Sequence, residues 1–211
     1  MPTNRSYADA CTIARALDVV GERWALLVVR ELLLGPQRFS DVRRALPGAA
    51  SNVVTDRLRE LENHGVVARR TMPPPAAATV YELTAWGREL EPVVLALGAW
   101  GGRVPRPRSA HLGTTSVLLF LRGSAHPRGR ACYRVELDAR VWTVHTEPGR
   151  LTVEPGEPAA PDATIRTDPP TLNALLETPS ELDAAIADGR VAVGGDRKAV
   201  RRLLRERRLS G

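Results

Sequence analysis

The chain has 211 residues, of which 43% are hydrophobic and 26% are charged, and its formal net charge is +6 at pH 7. This balance is typical of a globular protein with one large or two small domains, and the interspersed signs exclude a disordered basic tail. The positive charge favours a polyanionic partner. No apolar run approaches the roughly 20 residues of a membrane-spanning helix. Because a charged-then-apolar leader is missing as well, we expect a cytoplasmic protein.

The residue types that carry catalysis or hold metals are scattered along the chain. The four histidines, at positions 64, 111, 126 and 145, have no metal-ligand spacing with Cys11 or Cys132. We find no HExxH, CxxC, Walker or nucleophile-elbow motif. We therefore expect no enzyme, no metal site and no cofactor, and two cysteines cannot build a disulfide framework.

The first helical region precedes a glycine-proline stop. Apolar residues recur at helical spacing there: Leu17, Val20, Trp24, Leu27, Val28 and Leu32. Gly21 predicts a break between two helices, and Gly35 with Pro36 ends the second one.

Two further helices follow around a Pro47-Gly48 turn. We expect Ser40 to cap the first, a short helix that turns Val42 and Leu46 inward. Ser51 is expected to cap the second, which runs over 51–63 and ends at Gly65. A short helix, a turn and a longer helix in this order predict a helix-turn-helix.

The helix predicted over 51–63 has two contrasting faces. Val54, Leu58 and Leu61 form a narrow apolar stripe that can dock on a core. The opposite side, called here the polar face, consists of Asn52, Thr55, Asp56, Arg59 and Asn63. Asn suits adenine, Arg suits guanine, and an acid can accept from cytosine, so this face can read base edges. An ordinary amphipathic surface helix is the alternative.

A strand pair completes the motif. Residues 66–71 and 79–84 predict two strands joined by the proline-rich loop 72–78. Such a hairpin beside a recognition helix is the wing of a winged helix-turn-helix, and Arg69 and Arg70 at its base are candidates for phosphate contacts. Arg38, Arg43 and Arg44 are further phosphate candidates, although a solvated charge is the alternative for each. The candidate DNA contacts are Arg38, Ser40, Arg43, Ser51, Asn52, Thr55, Asp56, Arg57, Arg59, Arg69 and Arg70.

Four separated segments resemble the HxlR-type transcriptional regulators, a family in the MarR-like superfamily. They are residues 11–24 (CTIARALDVVGERW), 38–42 (RFSDV), 57–65 (RLRELENHG) and 81–87 (YELTAWG), in the family's order. The resemblance implies a dimeric winged-helix repressor or activator of double-stranded DNA. It also implies that the first helix and the helix over 85–100 form the dimer interface. The alanine- and proline-rich wing tip departs from the family pattern.

The residues support a dimer independently of the resemblance, although the wing domain or the second domain is an alternative partner for the same apolar stripe. The stretch 90–100 presents Leu90, Val93, Val94, Leu97 and Trp100, a stripe too apolar for a helix that faces water. A two-fold dimer would also match two half-sites about one helical turn apart.

A proline- and glycine-rich seam divides the chain. We expect domains at 1–103 and 109–211 with a linker at 104–108. In the second domain, the sequence predicts strands at 117–121, 131–137, 141–146, 150–153, 163–167 and 191–193. Helices are expected to start at Asp168, at a capping box that begins with Ser180, and at Asp196. The fold class is therefore α+β, a winged helix-turn-helix domain followed by a smaller α+β domain.

Residues 162–204 of this second domain are similar to sterol-carrier-protein-like domains. The resemblance implies an apolar tunnel for a hydrophobic ligand between sheet and helices. Its candidate lining residues are Phe120, Trp142, Leu172, Leu176 and Ile186. Plain core packing is the alternative for each of them.

Two other features leave alternatives open. The last helix carries Arg197, Lys198, Arg201, Arg202, Arg205, Arg207 and Arg208, which could supplement DNA binding, bind an anionic ligand or form a solvated face. Cys11 lies where the HxlR-type family can carry a redox-sensing thiol, but a buried, inert cysteine at a helix interface is the reading we favour.

The sequence thus predicts a dimeric, DNA-binding repressor whose operator binding is modulated by a hydrophobic small molecule in the second domain. One alternative is a thiol-based redox-sensing regulator that acts through Cys11. The other is a small-molecule carrier with a degenerate winged helix.

Overall fold

The structure is a computed structural model that describes residues 6–72, 78–105 and 110–206. The chain divides into two compact units, 1–97 and 98–211. The second unit is therefore not the smaller one, contrary to expectation. Only the first two residues of the predicted linker lie within the described residues, so the boundaries at 103 and 109 stay a prediction.

The first unit combines helices with a small antiparallel sheet. Its elements are α1 Thr12–Val20, α2 Ala25–Leu32, β1 Gln37–Arg38, α3 Phe39–Ala45, α4 Ser51–Asn63, β2 Val67–Thr71, β3 Thr79–Leu83, α5 Ala85–Arg88 and α6 Glu91–Gly101, the last of which continues into the second unit. The sheet order is β1-β3-β2. Strands β2 and β3 form the predicted hairpin, with Arg70 opposite Val80. Its proline-rich tip, 73–77, lies outside the described residues.

Burial on one side of α4 fixes how this helix is rotated. Val54, Leu58 and Leu61 are at most 1% exposed and belong to the core that the unit builds from α2, α3 and β2. Gly65 adopts φ +73°, a left-handed conformation that ends the helix as predicted. The apolar stripe of the sequence is therefore the side that docks on the core.

Neither predicted serine cap is present. The residues at the N-caps of α3 and α4 are Arg38 and Ala50, and neither makes a side-chain capping hydrogen bond. Ser40 and Ser51 each lie inside the first turn, because each helix begins one or more residues earlier than the cap rule indicates. The Ser51 hydroxyl instead accepts a hydrogen bond from Nε of Arg43 at 2.6 Å.

A threonine ties the wing to the end of α4. The Thr84 hydroxyl donates to the carbonyl oxygen of Gly65 at 2.7 Å and accepts from the backbone N–H of Gly87 at 3.0 Å. Gly87 is required here, since a Cβ at that position would lie 2.1 Å from the carbonyl oxygen of Val66. The hairpin is thereby held at a fixed position beside the C-terminal end of α4.

The second unit is a mixed five-stranded sheet with helices. Its elements are α7 Thr114–Ser124, β4 Ala131–Leu137, β5 Arg140–Glu147, β6 Arg150–Pro155, β7 Ala163–Thr167, α8 Pro169–Glu177, a 3-10 turn Pro179–Glu181, α9 Leu182–Ala187, β8 Ala192–Gly195 and α10 Arg197–Arg205. The strand order is β6-β5-β4-β7-β8. Only the β4–β7 pair among these is parallel. Helices α7 and α10 pack on the sheet, at β6 and β7 respectively.

The prediction of a strand at 117–121 is wrong, because this segment lies in helix α7. Val117, Leu118 and Leu121 are buried at helical spacing, whereas Phe120 between them is exposed. A short apolar run does not distinguish a buried strand from a helix face, and β-rich neighbours favoured the strand. The other strands occur where they were predicted, to within a few residues at their ends.

Two of the three helix starts predicted here are confirmed. Asp168 accepts from the N–H of Thr171, and Asp196 accepts from the N–H groups of Lys198 and Ala199. The prediction of a capping box at Ser180 is wrong. This serine lies inside the 3-10 turn, and the N-cap residue of α9 makes no side-chain hydrogen bond. Arg207 and Arg208 lie outside the described residues.

Candidate nucleic-acid interface

The polar face of α4 is open to solvent. Asn52, Thr55, Arg59 and Asn63 are exposed, and Asp56 is half-buried. The guanidinium of Arg59 donates to the carboxylate of Asp56 one turn earlier. The Thr55 hydroxyl donates to the carbonyl oxygen of Ser51 at 2.9 Å, which leaves its methyl group and remaining lone pairs outward. This face offers donors, an acceptor and a cation on one side of a single helix.

Arg57 does not share this face. Its side chain is only 15% exposed and forms ion pairs with Glu60 at 2.6 Å and with Glu22 at 3.6 Å. Glu22 lies between α1 and α2, so the pair links α4 to that segment. The spacing of Arg57 and Glu60 at i, i+3 is the signal in the sequence that indicates an intrahelical pair. We assign Arg57 a structural role rather than a base contact.

The polar candidates on and next to α3 are exposed, and one of them contacts the start of α4. Ser40 and Arg43 are exposed on α3, and Arg38 is exposed at its N-cap. The Arg43–Ser51 hydrogen bond connects α3 with the first residue of α4. Arg44 is exposed as well and pairs with Asp41 at 3.3 Å. Arg43 therefore places a cation beside the N-terminal end of α4.

The two wing arginines differ in their surroundings. Both are exposed on β2, but Arg70 forms an ion pair with Glu82 of β3 at 3.1 Å. Arg69 lies opposite Tyr81 on the neighbouring strand. Since Glu82 competes for Arg70, Arg69 is the better of the two for a phosphate contact.

Large apolar side chains are exposed on α1 and α6. On α6, Val93, Leu97 and Trp100 are 51%, 49% and 69% exposed and follow one another at i, i+4 and i+7. On α1, Ile13 is 70% exposed. Leu90 and Val94 instead pack against the core of the first unit. The stripe predicted from the sequence is thus split between a core-facing part and a solvent-facing part.

Cys11 is exposed, which corrects the expectation of a buried, inert thiol. It precedes α1, and the backbone N–H groups of Ala14 and then Ile13 hold the pKa of the Cys11 thiol below its ordinary value. Helix N-termini stabilise thiolates in this way. Cys132 differs, because partial burial and then the negative charge of Asp162 raise the pKa of its thiol.

The five ligand-lining candidates lie mostly in a packed core. Trp142, Leu172 and Leu176 are at most 1% exposed, Ile186 is partly buried and Phe120 is exposed. A side chain that lined a roomy cavity would keep accessible surface, and the first three do not. Two clefts found in the described part of the second unit have volumes of about 10 and 310 Å³ and share Arg130, Ala131 and Thr146. None of the five candidates lines either cleft.

Trp142 brings an unpartnered polar atom into that core. The indole Nε1 of Trp142 is buried and makes no hydrogen bond to a described residue. Arg140 lies over the ring of Trp142 at 5.1 Å. A buried donor without an acceptor costs roughly 1–3 kcal/mol, so this N–H would gain from a ligand that supplied an acceptor.

Comparison with known proteins identifies the family to which the chain belongs. The HxlR-like helix-turn-helix family matches residues 19–108. The regulator YvaP of Bacillus subtilis is 40% identical over 86 residues, which are 41% of this chain and 80% of YvaP. An uncharacterized HTH-type transcriptional regulator of Synechocystis sp. is 40% identical over 91 residues, 43% of this chain and 67% of the relative. The chain belongs to the HxlR-like helix-turn-helix family.

It is thus a transcriptional regulator of the HxlR type, with a DNA-binding helix-turn-helix in its first unit. The second unit matches the SCP-2 sterol transfer family over residues 125–205. Both resemblances inferred from the sequence, and the α+β fold class, are confirmed.

Solved structures of similar proteins match slightly less than half of the chain. The redox regulator HypR in its oxidized form is 34% identical and covers 46% of this chain and all of its own, with a TM-score of 0.43. The reduced YodB of B. subtilis is 29% identical and covers 47% of this chain and 98% of its own, with a TM-score of 0.41.

Metal binding and insertion into a membrane are two other kinds of function that a structure can indicate. No group of three or more His, Cys, Asp or Glu side chains within 6–72, 78–105 and 110–206 is arranged to hold a metal ion. Within the same ranges, each helix is too short or too polar to traverse a lipid bilayer.

Proposed function

We propose that the protein is a dimeric repressor that reads its operator with the polar face of α4. The observation that carries this proposal is the exposure of Asn52, Thr55 and Arg59 on a helix whose opposite side is locked in the core. A recognition helix inserted in the major groove presents its N-terminal residues to base edges. In this role Asn52 would bind adenine and Arg59 guanine, while Asp56 would accept from cytosine.

The pair between Arg59 and Asp56 does not prevent this role. Both side chains keep much of their surface in contact with water, at 59% and 43% exposure. Exposed ion pairs contribute only about 0–1 kcal/mol, so a guanine edge can replace Asp56 as the acceptor for Arg59. Asp56 also holds Arg59 on the correct side of the helix before DNA arrives.

Phosphate contacts would position the helix without reading sequence. Arg38, Arg43 and Arg69 are exposed around the recognition helix, and the hydroxyls of Ser40 and Ser51 can donate to the same backbone. Arg70 would contribute once it leaves Glu82. These contacts make binding depend on salt, because each phosphate that is neutralised releases counterions.

Substitution of Arg59 by alanine should weaken binding to the operator by about tenfold or more, since a bidentate guanine contact contributes roughly 1–3 kcal/mol of discrimination. Binding to an unrelated duplex of equal length should change little. Arg69→Ala should instead weaken both and reduce the slope of log K against log salt by about 0.9. The measurement is fluorescence anisotropy over a salt series, with an operator enriched from random DNA by the wild-type protein. Arg88→Ala, which removes an exposed arginine outside this surface, is the control. If Arg59→Ala lost affinity equally for both duplexes, Arg59 would not be a residue that contacts bases.

The dimer is proposed from the exposed apolar residues of α1 and α6. Ile13, Val93, Leu97 and Trp100 are each about half or more exposed, and together they are more apolar than a monomer surface of two short helices tolerates. A two-fold axis through such a surface would be isologous, since the same patch serves both copies. Two recognition helices would then address two half-sites of one operator.

Paired substitutions Val93→Glu and Leu97→Glu should convert the protein to a monomer, because four carboxylates would face one another across the axis. Sedimentation equilibrium should give twice the chain mass of 23.0 kDa for the wild type and a single chain mass for the variant. The paired substitutions Ala184→Glu and Ala187→Glu add the same charge at two exposed alanines of α9, and this variant should stay dimeric. A wild-type protein that sediments as one chain would exclude the proposed interface.

The second unit is proposed to receive a hydrophobic effector. The SCP-2 sterol transfer match and the unpartnered N–H of Trp142 support this role. Since Trp142, Leu172 and Leu176 are packed, an effector would have to separate sheet and helices as it enters. To regulate, it must bind the DNA-competent and DNA-incompetent shapes with different affinity, and a coupling of roughly 1–3 kcal/mol suffices.

A second candidate input is oxidation or alkylation of Cys11. The exposed position of this thiol and its lowered pKa favour it, since the thiolate is the reactive form. Cys11 directly precedes α1, whose exposed Ile13 belongs to the proposed dimer surface. A modified Cys11 would thus change the packing of the two copies.

Release from operator DNA distinguishes the two inputs. If the effector route operates, oleic acid should release the wild type and Cys11→Ser alike. Trp142→Phe should need a several-fold higher concentration of oleic acid, because phenylalanine keeps an aromatic ring without the N–H.

If the thiol route operates, hydrogen peroxide should release the wild type and the control Cys132→Ser but not Cys11→Ser. Release of Cys11→Ser by peroxide would exclude the thiol. Failure of a panel of long-chain acids and sterols to bind or to release DNA would exclude the effector.

A further inference from the structure

Every solvent-facing position of α10 is cationic. Arg197, Lys198, Arg201, Arg202 and Arg205 occupy one continuous side of the helix, called here the cationic face. The other side consists of Ala199, Val200, Leu203 and Leu204, which are at most 4% exposed. Exposed helices usually mix both signs of charge, because opposite charges at i, i+4 stabilise them. On α10 no solvent-facing residue supplies the opposite sign.

This arrangement works against the stability of the helix itself. Arg197 and Lys198 lie in its first turn, where the positive end of the helix dipole disfavours cations by about 0.3–1 kcal/mol each. Three like-charged pairs at i, i+4 add about 0.2–0.5 kcal/mol of repulsion each. Only Arg202 and Arg205, in the last turn, gain from the dipole. Positions that break a local rule in this way are typical of functional surfaces.

Nearby carboxylates compensate for part of the charge only. Asp183 of α9 accepts two hydrogen bonds from Arg201, at 2.7 and 2.8 Å. Hydrogen bonding by Arg201 lowers the pKa of Asp183 most, and Arg201, Arg197 and Arg205 lower it further by their charge. One carboxylate thus faces three guanidinium groups. Asp196 lies 3.7 Å from Arg202.

The charge of the chain is unevenly divided between the two units. Residues 98–211 contain 18 Arg and Lys against 13 Asp and Glu, which gives +5. Residues 1–97 contain 12 against 11, which gives +1. The unit with the recognition helix is therefore almost neutral as a whole, although binding to duplex DNA depends strongly on positive charge.

We propose that the cationic face of α10 is a second DNA-contacting surface that binds the phosphate backbone without reading its sequence. The proposal extends the DNA-binding role proposed above and rests on it for the choice of partner. The face is rich in guanidinium groups, which bind phosphate oxygens in a bidentate manner. It offers no acceptor or apolar group with which to read bases. It would add affinity and salt dependence, while the polar face of α4 supplies specificity.

DNA is favoured over a lipid surface as the anionic partner. An interfacial helix inserts large apolar side chains beside its cations. On α10, Val200, Leu203 and Leu204 are all buried in the unit, so none is free to insert. The cations alone remain for the partner, and this suits a charged polymer.

The test neutralises three cations whose removal leaves α10 folded. The variant Arg197→Gln, Lys198→Gln and Arg205→Gln keeps Arg201 and Arg202, which form the ion pairs with Asp183 and Asp196. A matched control, Arg150→Gln, Arg166→Gln and Arg190→Gln, removes three exposed arginines from other parts of the same unit. Both variants change the net charge equally. Binding of the full-length protein to an unrelated duplex is measured by fluorescence anisotropy between low and physiological salt.

The α10 variant should bind the unrelated duplex at least roughly tenfold more weakly at low salt, and its salt slope should fall by about 0.9 for each phosphate that it no longer neutralises. Its thermal midpoint should stay the same or rise, since repulsion is relieved. The control should bind as the wild type does. If the α10 variant binds as the control does, the proposal is wrong. It is also wrong if only binding to phosphatidylglycerol vesicles falls.

The unrelated duplex keeps this result separate from the reading role of α4. A loss of non-specific binding in the α10 variant, together with unchanged operator specificity in Arg59→Ala, would retain this surface and reject the proposed reader. The opposite pair of results would retain the reader and reject this surface.

Discussion

The burial of one side of α4 is the interaction on which the regulatory site depends. Val54, Leu58 and Leu61 are almost completely removed from water, and each contributes about 1.5–3 kcal/mol on burial. Because these three residues fix the rotation of the helix, the polar face has to point outward. The Arg57–Glu22 pair then holds the helix against the segment between α1 and α2, and the Thr84 bridge to Gly65 holds the wing at its end. A recognition helix needs this rigidity, since base readout tolerates little misplacement.

Features with a strong local cause could be predicted from the sequence. The apolar stripe of α4, the glycine that ends it, the wing strands and the aspartate caps of α8 and α10 each follow from the residues that form them. The prediction that Ser40 and Ser51 cap their helices is wrong, because the start of a helix is set by the preceding turn as much as by the capping residue. Helix α7 was mistaken for a strand since its short apolar run carries no period of its own. The inward position of Arg57 depends on Glu22, which is distant in sequence, and no local pattern shows that.

The second unit combines two properties that the proposed regulation would use in different ways. Its core is closed around Trp142, whose indole N–H has no hydrogen-bond partner among the described residues. Its surface carries nearly all of the excess positive charge of the chain. An effector that opened the core would disturb the layer to which α10 is attached through Val200, Leu203 and Leu204. Ligand binding and phosphate contact would then be coupled within one unit, without any change in the polar face of α4.

The most direct test of the central claim places a DNA-cleaving iron chelate on the polar face. The chelate is attached to a single cysteine introduced as Thr55→Cys in a Cys11→Ser, Cys132→Ser background, and Arg88→Cys in the same background is the matched control. If α4 lies in the major groove, the chelate at position 55 should cut within each operator half-site, and the control should cut weakly or outside them. Uniform or absent cleavage from position 55, with the operator still bound, would contradict the account.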